Sequence, residues 1–114
     1  MRNPKKVYRI GKENQVMQIT DIKIRKFFED GPMKAIVSVT FDGQLAVHDI
    51  KVIYAREKYF IVMPSRKNPD ESFRDIVHPI NAQFRGMLEE AVISAYEVAL
   101  RDAEEAGEEI PETV

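Results

Sequence analysis

The feature that most constrains the fold is a change in hydrophobic periodicity at Pro79. Before it, apolar and polar residues alternate in runs as long as a β-strand. After it, apolar residues recur every three to four positions, as on one face of an α-helix. The turns between the strand-like runs are too short for parallel crossovers. The sequence therefore predicts an α+β domain, with an antiparallel β-meander of about five strands followed by one long C-terminal helix.

Each predicted strand is bounded by turn-forming or polar residues. The strands are expected at Met17–Phe27, Lys34–Asp42, Gln44–Tyr54, Tyr59–Met63 and Phe73–His78. Asp42-Gly43 is typical of a tight hairpin, because glycine accepts the positive φ that such turns require. The continuous apolar run Tyr59–Met63 favours a place near the centre of the sheet. Tyr54, Tyr59 and Phe60 offer rings on which bases can stack, but their apolar surroundings favour core packing.

The helix is expected to begin after Asn81, whose side chain can accept a hydrogen bond from the first turn. Its apolar stripe comprises Phe84, Leu88, Ala91, Val92, Ala95, Tyr96 and Ala99. Gly86 lies inside this helix, where glycine costs about 1 kcal/mol relative to alanine. We therefore expect the sheet or a ligand to approach its backbone closely. One helix covers one face of a sheet, and a free sheet edge invites pairing, so the sequence predicts a homodimer joined through the sheet.

The 114 residues suffice for one small domain, which we place at residues 17–100. Residues 1–16 are basic and residues 101–114 acidic, and both are expected to be flexible tails. The chain has no cysteine, no secretory signal and no apolar run near the roughly 20 residues of a membrane span. We therefore expect a cytoplasmic protein without membrane contact. Because the net charge is −2, nucleic-acid binding would require a local basic patch.

Residues suited to catalysis or to metal binding do not form a recognisable pattern. His48 and Asp49 are neighbours on a predicted strand and so point to opposite faces. His48 and His78 lack the spacing of metal ligands. The serines lack the setting of an activated nucleophile, and no glycine-rich phosphate loop is present. The sequence thus predicts no enzyme, no metal, no cofactor and no small-molecule substrate.

Adjacent cations on a predicted turn provide the strongest binding candidate. Pro69 presets the backbone of the turn, so Arg66 and Lys67 are expected on a rigid protrusion that can hold phosphate. Arg85 lies in the first helical turn, where a cation is unfavourable beside the positive end of the dipole. It therefore needs a carboxylate such as Asp75, or an external anion. The predicted nucleic-acid-binding residues are Arg66, Lys67, Asn68, Pro69, Asp70, Arg74 and Arg85; Lys23, Arg25 and Lys26 are the next candidates.

Several blocks of sequence resemble the stage V sporulation protein G family, SpoVG. They are Thr20-Asp21-Ile22-Lys23, Met33-Lys34-Ala35-Ile36, Val47-His48-Asp49-Ile50, Met63-Pro64-Ser65-Arg66-Lys67, Phe73-Arg74-Asp75-Ile76 and His78-Pro79-Ile80-Asn81. They occur in the family's order between Met17 and about Tyr96. The family's nucleic-acid-contacting segment reads Lys-Arg-Thr-Pro-Asp, and here it stands as Arg66-Lys67-Asn68-Pro69-Asp70. The cation order is reversed, and arginine and lysine are not equivalent readers of a base or a phosphate.

The resemblance implies a small bacterial regulator that binds DNA, and in some cases RNA, as a homodimer. It also implies a link to sporulation and to negative control of asymmetric septation, or to virulence and surface-polymer genes in bacteria that do not sporulate. Two other functions stay open at this point. One is a protein-interaction adaptor in the cell-division machinery, with the sheet face or the acidic tail as its contact. The other is a small enzyme.

Overall fold

The computed structural model describes residues 17–106 as six strands and one helix. The predicted basic extension, residues 1–16, and residues 107–114 of the predicted acidic tail lie outside this range. The strands are β1 (Ile19–Phe27), β2 (Met33–Phe41), β3 (Leu45–Ala55), β4 (Lys58–Val62), β5 (Ser65–Lys67) and β6 (Phe73–Asp75). The helix α1 spans Ala82–Glu105. The predicted α+β fold, with a meander first and one C-terminal helix, is confirmed.

Strands β1 to β4 form an antiparallel sheet in the order of the sequence, whereas β5 and β6 form a separate two-stranded hairpin. The predicted fifth strand, Phe73–His78, is therefore shorter than expected and does not join the main sheet. Asp42 and Gly43 both have positive φ, and Gln44 donates to the Phe41 carbonyl, as predicted for a tight hairpin. Arg56 and Glu57 adopt the same positive φ between β3 and β4 without the help of glycine.

The core lies between α1 and one face of the sheet. Ala35, Val37 and Val39 alternate along β2 and are fully buried, as a period of two requires. Leu88, Val92 and Tyr96 of α1 pack against this face, so the predicted helical stripe is confirmed. Tyr59 packs on Tyr96, with ring centroids 5.8 Å apart. The opposite face of the sheet, which we call the open sheet face, is covered by no helix or strand of residues 17–106.

The apolar run Tyr59–Met63 was predicted near the centre of the sheet, and this prediction is wrong, because β4 is an edge strand. The free backbone groups at this edge form hydrogen bonds with side chains of α1 and not with another strand. The Ile61 N–H donates to Glu89 Oε2 at 2.9 Å, and Arg85 Nη2 donates to the Ile61 carbonyl at 2.9 Å. These two contacts protect the edge at Ile61 from pairing.

The helix begins where the sequence predicts. Asn81 is the N-cap, and its side-chain oxygen accepts from the Phe84 N–H at 2.7 Å. The helix continues to Glu105, beyond the domain boundary expected at residue 100. A Cβ added to Gly86 would meet nothing within 4 Å, so the expected close approach to its backbone is absent from residues 17–106. Within the same range, no helix is long and apolar enough to cross a membrane.

Candidate nucleic-acid interface

The β5–β6 hairpin stands apart from the rest of the described structure. The Cα atoms of its two strands lie within 8 Å of each other. They do not come within 8 Å of any other strand or of α1. The Ile76 N–H donates to the Pro64 carbonyl at 2.8 Å, which closes the hairpin at its base. The predicted protrusion is therefore present, and it places Arg66, Lys67 and Arg74 on an arm that is exposed to solvent.

The tip of this arm is held by hydrogen bonds among its own residues. The Glu71 N–H donates to the Asn68 carbonyl at 3.0 Å, so Pro69 occupies the second position of a β-turn, as its fixed φ favours. The Asn68 N–H donates to the Ser72 carbonyl, and Glu71 has a φ of 74°. A turn followed by a left-handed residue is the usual build of a hairpin loop of this length. The predicted cations therefore do not lie on the turn itself but on the two strands that it connects, β5 and β6.

Ser72 organises the tip although sequence reasoning did not select it. Its hydroxyl donates to Asp70 Oδ1 at 2.6 Å, and its backbone N–H donates to the same oxygen at 3.0 Å. The hydroxyl bond, followed by the backbone bond, lowers the pKa of Asp70 below its ordinary value. The sequence signal was the Asp-x-Ser spacing, which is typical of a side chain that bonds the backbone two residues on. Asp70 therefore serves the turn and stays ionised at neutral pH.

Arg66 and Arg74 lie directly opposite each other across the hairpin. Directly paired residues share one face, with Cβ atoms roughly 5 Å apart. Neither arginine has an ion pair with any acidic residue of the described chain. Like charges in this relation are destabilising, and an anion placed between them would remove the repulsion. Arg66, Lys67, Asn68, Pro69, Glu71 and Arg74 line an open concavity of about 670 Å³ around this pair.

Lys67 differs from the two arginines because it already has a partner. Its Nζ lies 2.7 Å from Glu71 Oε1, and both side chains are more than half exposed. An exposed pair of this kind contributes about 0–1 kcal/mol, so a phosphate can displace the carboxylate at little cost. By register, Lys67 shares the other face of the hairpin with Phe73. The adjacent cations predicted as one unit therefore point to opposite faces.

Arg85 does not join the hairpin cations. Its guanidinium is half-buried and is bound to the carbonyl of Ile61, and within the described chain neither Arg85 nor Arg74 forms an ion pair with Asp75. The unfavourable position at the helix N-terminus is thus compensated by a strand carbonyl. Sequence reasoning had no signal for this contact, since it depends on where β4 packs. A role for Arg85 in nucleic-acid binding stays a prediction.

The sequence matches the SpoVG family over residues 17–98. It is 55% identical over 92 residues to the "Putative septation protein SpoVG" of Clostridioides difficile, covering 81% of this chain and 100% of that relative. A protein of the same name in Clostridium novyi is 53% identical over 96 residues, which is 82% of this chain and 96% of the relative. Residues 17–98 include every sequence block that carries the resemblance.

Proposed function

The chain belongs to the SpoVG family, and from this membership we propose that it is a bacterial regulatory protein that binds DNA and RNA through the β5–β6 hairpin. The observation that supports the proposal best is the opposed Arg66–Arg74 couple, which has no ion pair within residues 17–106 and lies on an arm that the domain does not need for its core. Arginine grips phosphate with two parallel hydrogen bonds. Two guanidinium groups on one face are suited to a sugar–phosphate backbone or to the edge of a guanine.

The regulatory role follows from the family. The relatives are named for septation, and the proposal assigns this chain to sporulation and to negative control of asymmetric septation. In a bacterium that does not sporulate, it would act on virulence or surface-polymer genes. Each role requires a cytoplasmic, non-enzymatic protein that recognises specific nucleic-acid sites.

A homodimer is part of the proposal, but we place its interface at exposed apolar side chains beside the hairpin, and not at the sheet as expected from the sequence. Phe73, Ile76 and Ile80 are 69%, 67% and 88% exposed. Large apolar side chains left exposed within one short segment of the chain are candidates for an interaction surface. Ile76 and Ile80 follow β6 in the chain, so a second copy packed on them can leave the hairpin cations free. A dimer then presents two arginine pairs to one nucleic acid, which raises affinity through bivalency.

The experiment is a fluorescence-anisotropy titration of labelled duplex DNA and single-stranded RNA across salt concentrations. We expect Arg66→Ala combined with Arg74→Ala to weaken binding at least tenfold and to reduce the log–log salt slope on duplex by about 0.9 for each phosphate that the protein no longer neutralises. The combination of Arg66→Ala with Lys67→Ala should do the same. Arg56→Ala with Arg101→Ala is the matched control, because it removes two exposed cations outside the hairpin. Unchanged binding by both hairpin variants would refute the hairpin as the site.

The second candidate function is a protein-interaction adaptor of the cell-division machinery. The exposed apolar residues Phe73, Ile76 and Ile80 favour it, because such a surface also suits a protein partner. The same titration separates the two functions. Absence of binding to every nucleic acid at low salt would favour the adaptor, whereas steep salt dependence supports phosphate contacts.

A further inference from the structure

The two layers of the domain carry opposite charge. Strands β1 to β4 contain six Lys and Arg residues against Asp21 and Asp49. Helix α1 contains six Asp and Glu residues against Arg85 and Arg101. The segment of the hairpin from Ser65 to Asp75 has three cations and three carboxylates. A polyanion is therefore attracted to the sheet side of the domain and repelled from the helix side.

The register places most of the sheet cations on the open sheet face. Lys23 pairs with Ser38, Lys26 with Ile36, Lys51 with Ile36 and Lys58 with Ala55, all on the face away from α1. Arg25 reaches the same face, since its Nε donates to Ser38 Oγ at 3.0 Å. Asp21 lies on this face too, but its contact with Lys23 is 3.9 Å long and exposed, so it neutralises little.

One cation of this face is held in place by a buried group. Ser38 is 5% exposed, and its hydroxyl also lies 2.8 Å from His48 Nδ1. Because the hydroxyl accepts from Arg25, its proton is available for His48. The Arg25 guanidinium is therefore fixed through Nε, and its two terminal nitrogens have no partner among residues 17–106. A fork fixed in this way is suited to two parallel hydrogen bonds with a phosphate.

An apolar strip crosses the same face beside the cations. Phe60 pairs with Ile53, and Val62 pairs with Lys51, so these side chains share the open sheet face, and each is half-buried. Sequence reasoning favoured core packing for Phe60, but the register turns its ring away from the core that Tyr59 joins. Four strands, each about 4.8 Å from the next, are too wide for the roughly 12 Å major groove of B-DNA. Unpaired bases, by contrast, can stack on an aromatic ring while the backbone follows the cations.

From this arrangement we infer that the open sheet face is a second binding surface, specific for single-stranded nucleic acid. Its phosphate contacts are Lys23, Arg25 and Lys51, and Phe60 is its stacking residue. The inference rests on the proposed function and adds to the hairpin a surface that distinguishes single strands from duplex. The charge of the face determines its occupant, because a second copy would have to bury these lysines and Arg25 against the same cations.

The first test compares two double variants. One combines Lys23→Gln with Lys51→Gln on the open sheet face, and the charge-matched control combines Arg56→Gln with Arg101→Gln. The probe is labelled single-stranded RNA, with a duplex of equal length alongside. We expect the sheet variant to bind single strands about tenfold less tightly, with a salt slope smaller by about 0.7 for each phosphate that the protein no longer neutralises. The control should bind like the wild type, and duplex binding should change less than single-strand binding.

The second test uses a tryptophan, since the chain has none. The fluorescence of Phe60→Trp should be quenched by single-stranded RNA in a salt-dependent way, whereas that of Met87→Trp on the helix should not. If the hairpin variants lose binding while the sheet variant and the emission of Phe60→Trp stay unaffected, the open sheet face is no binding surface, although the proposed function stands. If the emission of Phe60→Trp shifts on concentrating the protein alone, a second copy covers the face and the inference fails. If the wild type binds no nucleic acid, both the inference and the proposed function fail.

Discussion

The β5–β6 hairpin and the open sheet face hold their cations in different ways. The hairpin has a rigid turn and an opposed arginine pair, but its three carboxylates cancel its net charge. The sheet spreads an excess of cations over four strands. Fixed donors determine how long a bound phosphate stays, whereas net charge determines how quickly a polyanion arrives. We therefore expect the hairpin to hold a bound phosphate in place and the sheet to attract a polyanion to the domain.

The largest expected effect comes from reversing the charge of the sheet. Lys23→Glu with Lys51→Glu should lower the association rate constant for single-stranded RNA by about 10- to 100-fold at low salt. The effect should shrink as salt is added, since exposed charges are screened. Arg66→Ala with Arg74→Ala should instead raise the dissociation rate constant. Stopped-flow fluorescence measures both rates, and equal effects of the two variants on association would abolish the distinction between the regions.

The next effect concerns Arg85, which separates structural from binding cations. Arg85→Ala should lower the free energy of unfolding by about 2 kcal/mol, because the Ile61 carbonyl loses a charged donor. Nucleic-acid affinity should stay within about twofold of the wild type once the variant is folded. Urea denaturation and anisotropy measure the two quantities. Glu89→Gln is the control, because its amide oxygen can still accept from the Ile61 N–H. A loss of affinity without a loss of stability would show that Arg85 contacts the nucleic acid.

Much of the structure on which this comparison depends could be predicted from the sequence, because local sequence patterns specify it. Alternation defined the strands, and the Asp42-Gly43 turn and the Asn81 cap are local signals that the structure confirms. The tip of the hairpin was also predictable, because Pro69 specifies its own backbone. What failed depended on packing between distant elements. The edge position of β4 and the contact of Arg85 with Ile61 follow from how α1 lies on the sheet, and no periodicity in the sequence records that.

The positive charge of the open sheet face could be predicted only in part from the sequence. Lys23, Arg25 and Lys26 were recognised as cations on one strand, but their connection to Lys51 and Phe60 requires the register of four strands. The register also contains irregularities, such as the one beside Arg25. A single extra residue changes which face a side chain takes, so alternation alone would place Lys26 on the core face, whereas the register pairs it with Ile36 on the open sheet face.

A smaller effect is expected at Gly86, which tests whether a second copy covers this part of α1. Gly86→Ala should raise the free energy of unfolding by about 1 kcal/mol, because the helix gains propensity and the added Cβ meets open space. Ser94→Ala provides a control at an exposed position of the same helix. Thermal unfolding and sedimentation at several concentrations measure stability and assembly. Weaker self-association with unchanged stability would show that a second copy packs on Gly86.

The smallest effect on stability is expected at Glu71. Its replacement also tests whether the hairpin contacts phosphate directly. Glycine relieves the positive φ of this residue by about 1 kcal/mol, while removal of the pair with Lys67 costs about 0–1 kcal/mol. The free energy of unfolding should therefore change little in Glu71→Gly. Lys67 becomes free, and the hairpin gains one net positive charge. We expect affinity for duplex DNA to rise severalfold and the salt slope to increase by about 0.9.

Glu57→Gly is a closely matched control for this change. Glu57 also has a positive φ, of 63°, and its replacement alters the net charge by the same amount at a turn outside the hairpin. It should stabilise the protein, since the described residues give Glu57 no ion pair to lose. If charge matters only through the field of the whole domain, both variants will raise affinity equally. A rise confined to Glu71→Gly means that the hairpin contacts phosphate directly, because only there does the freed lysine reach the ligand.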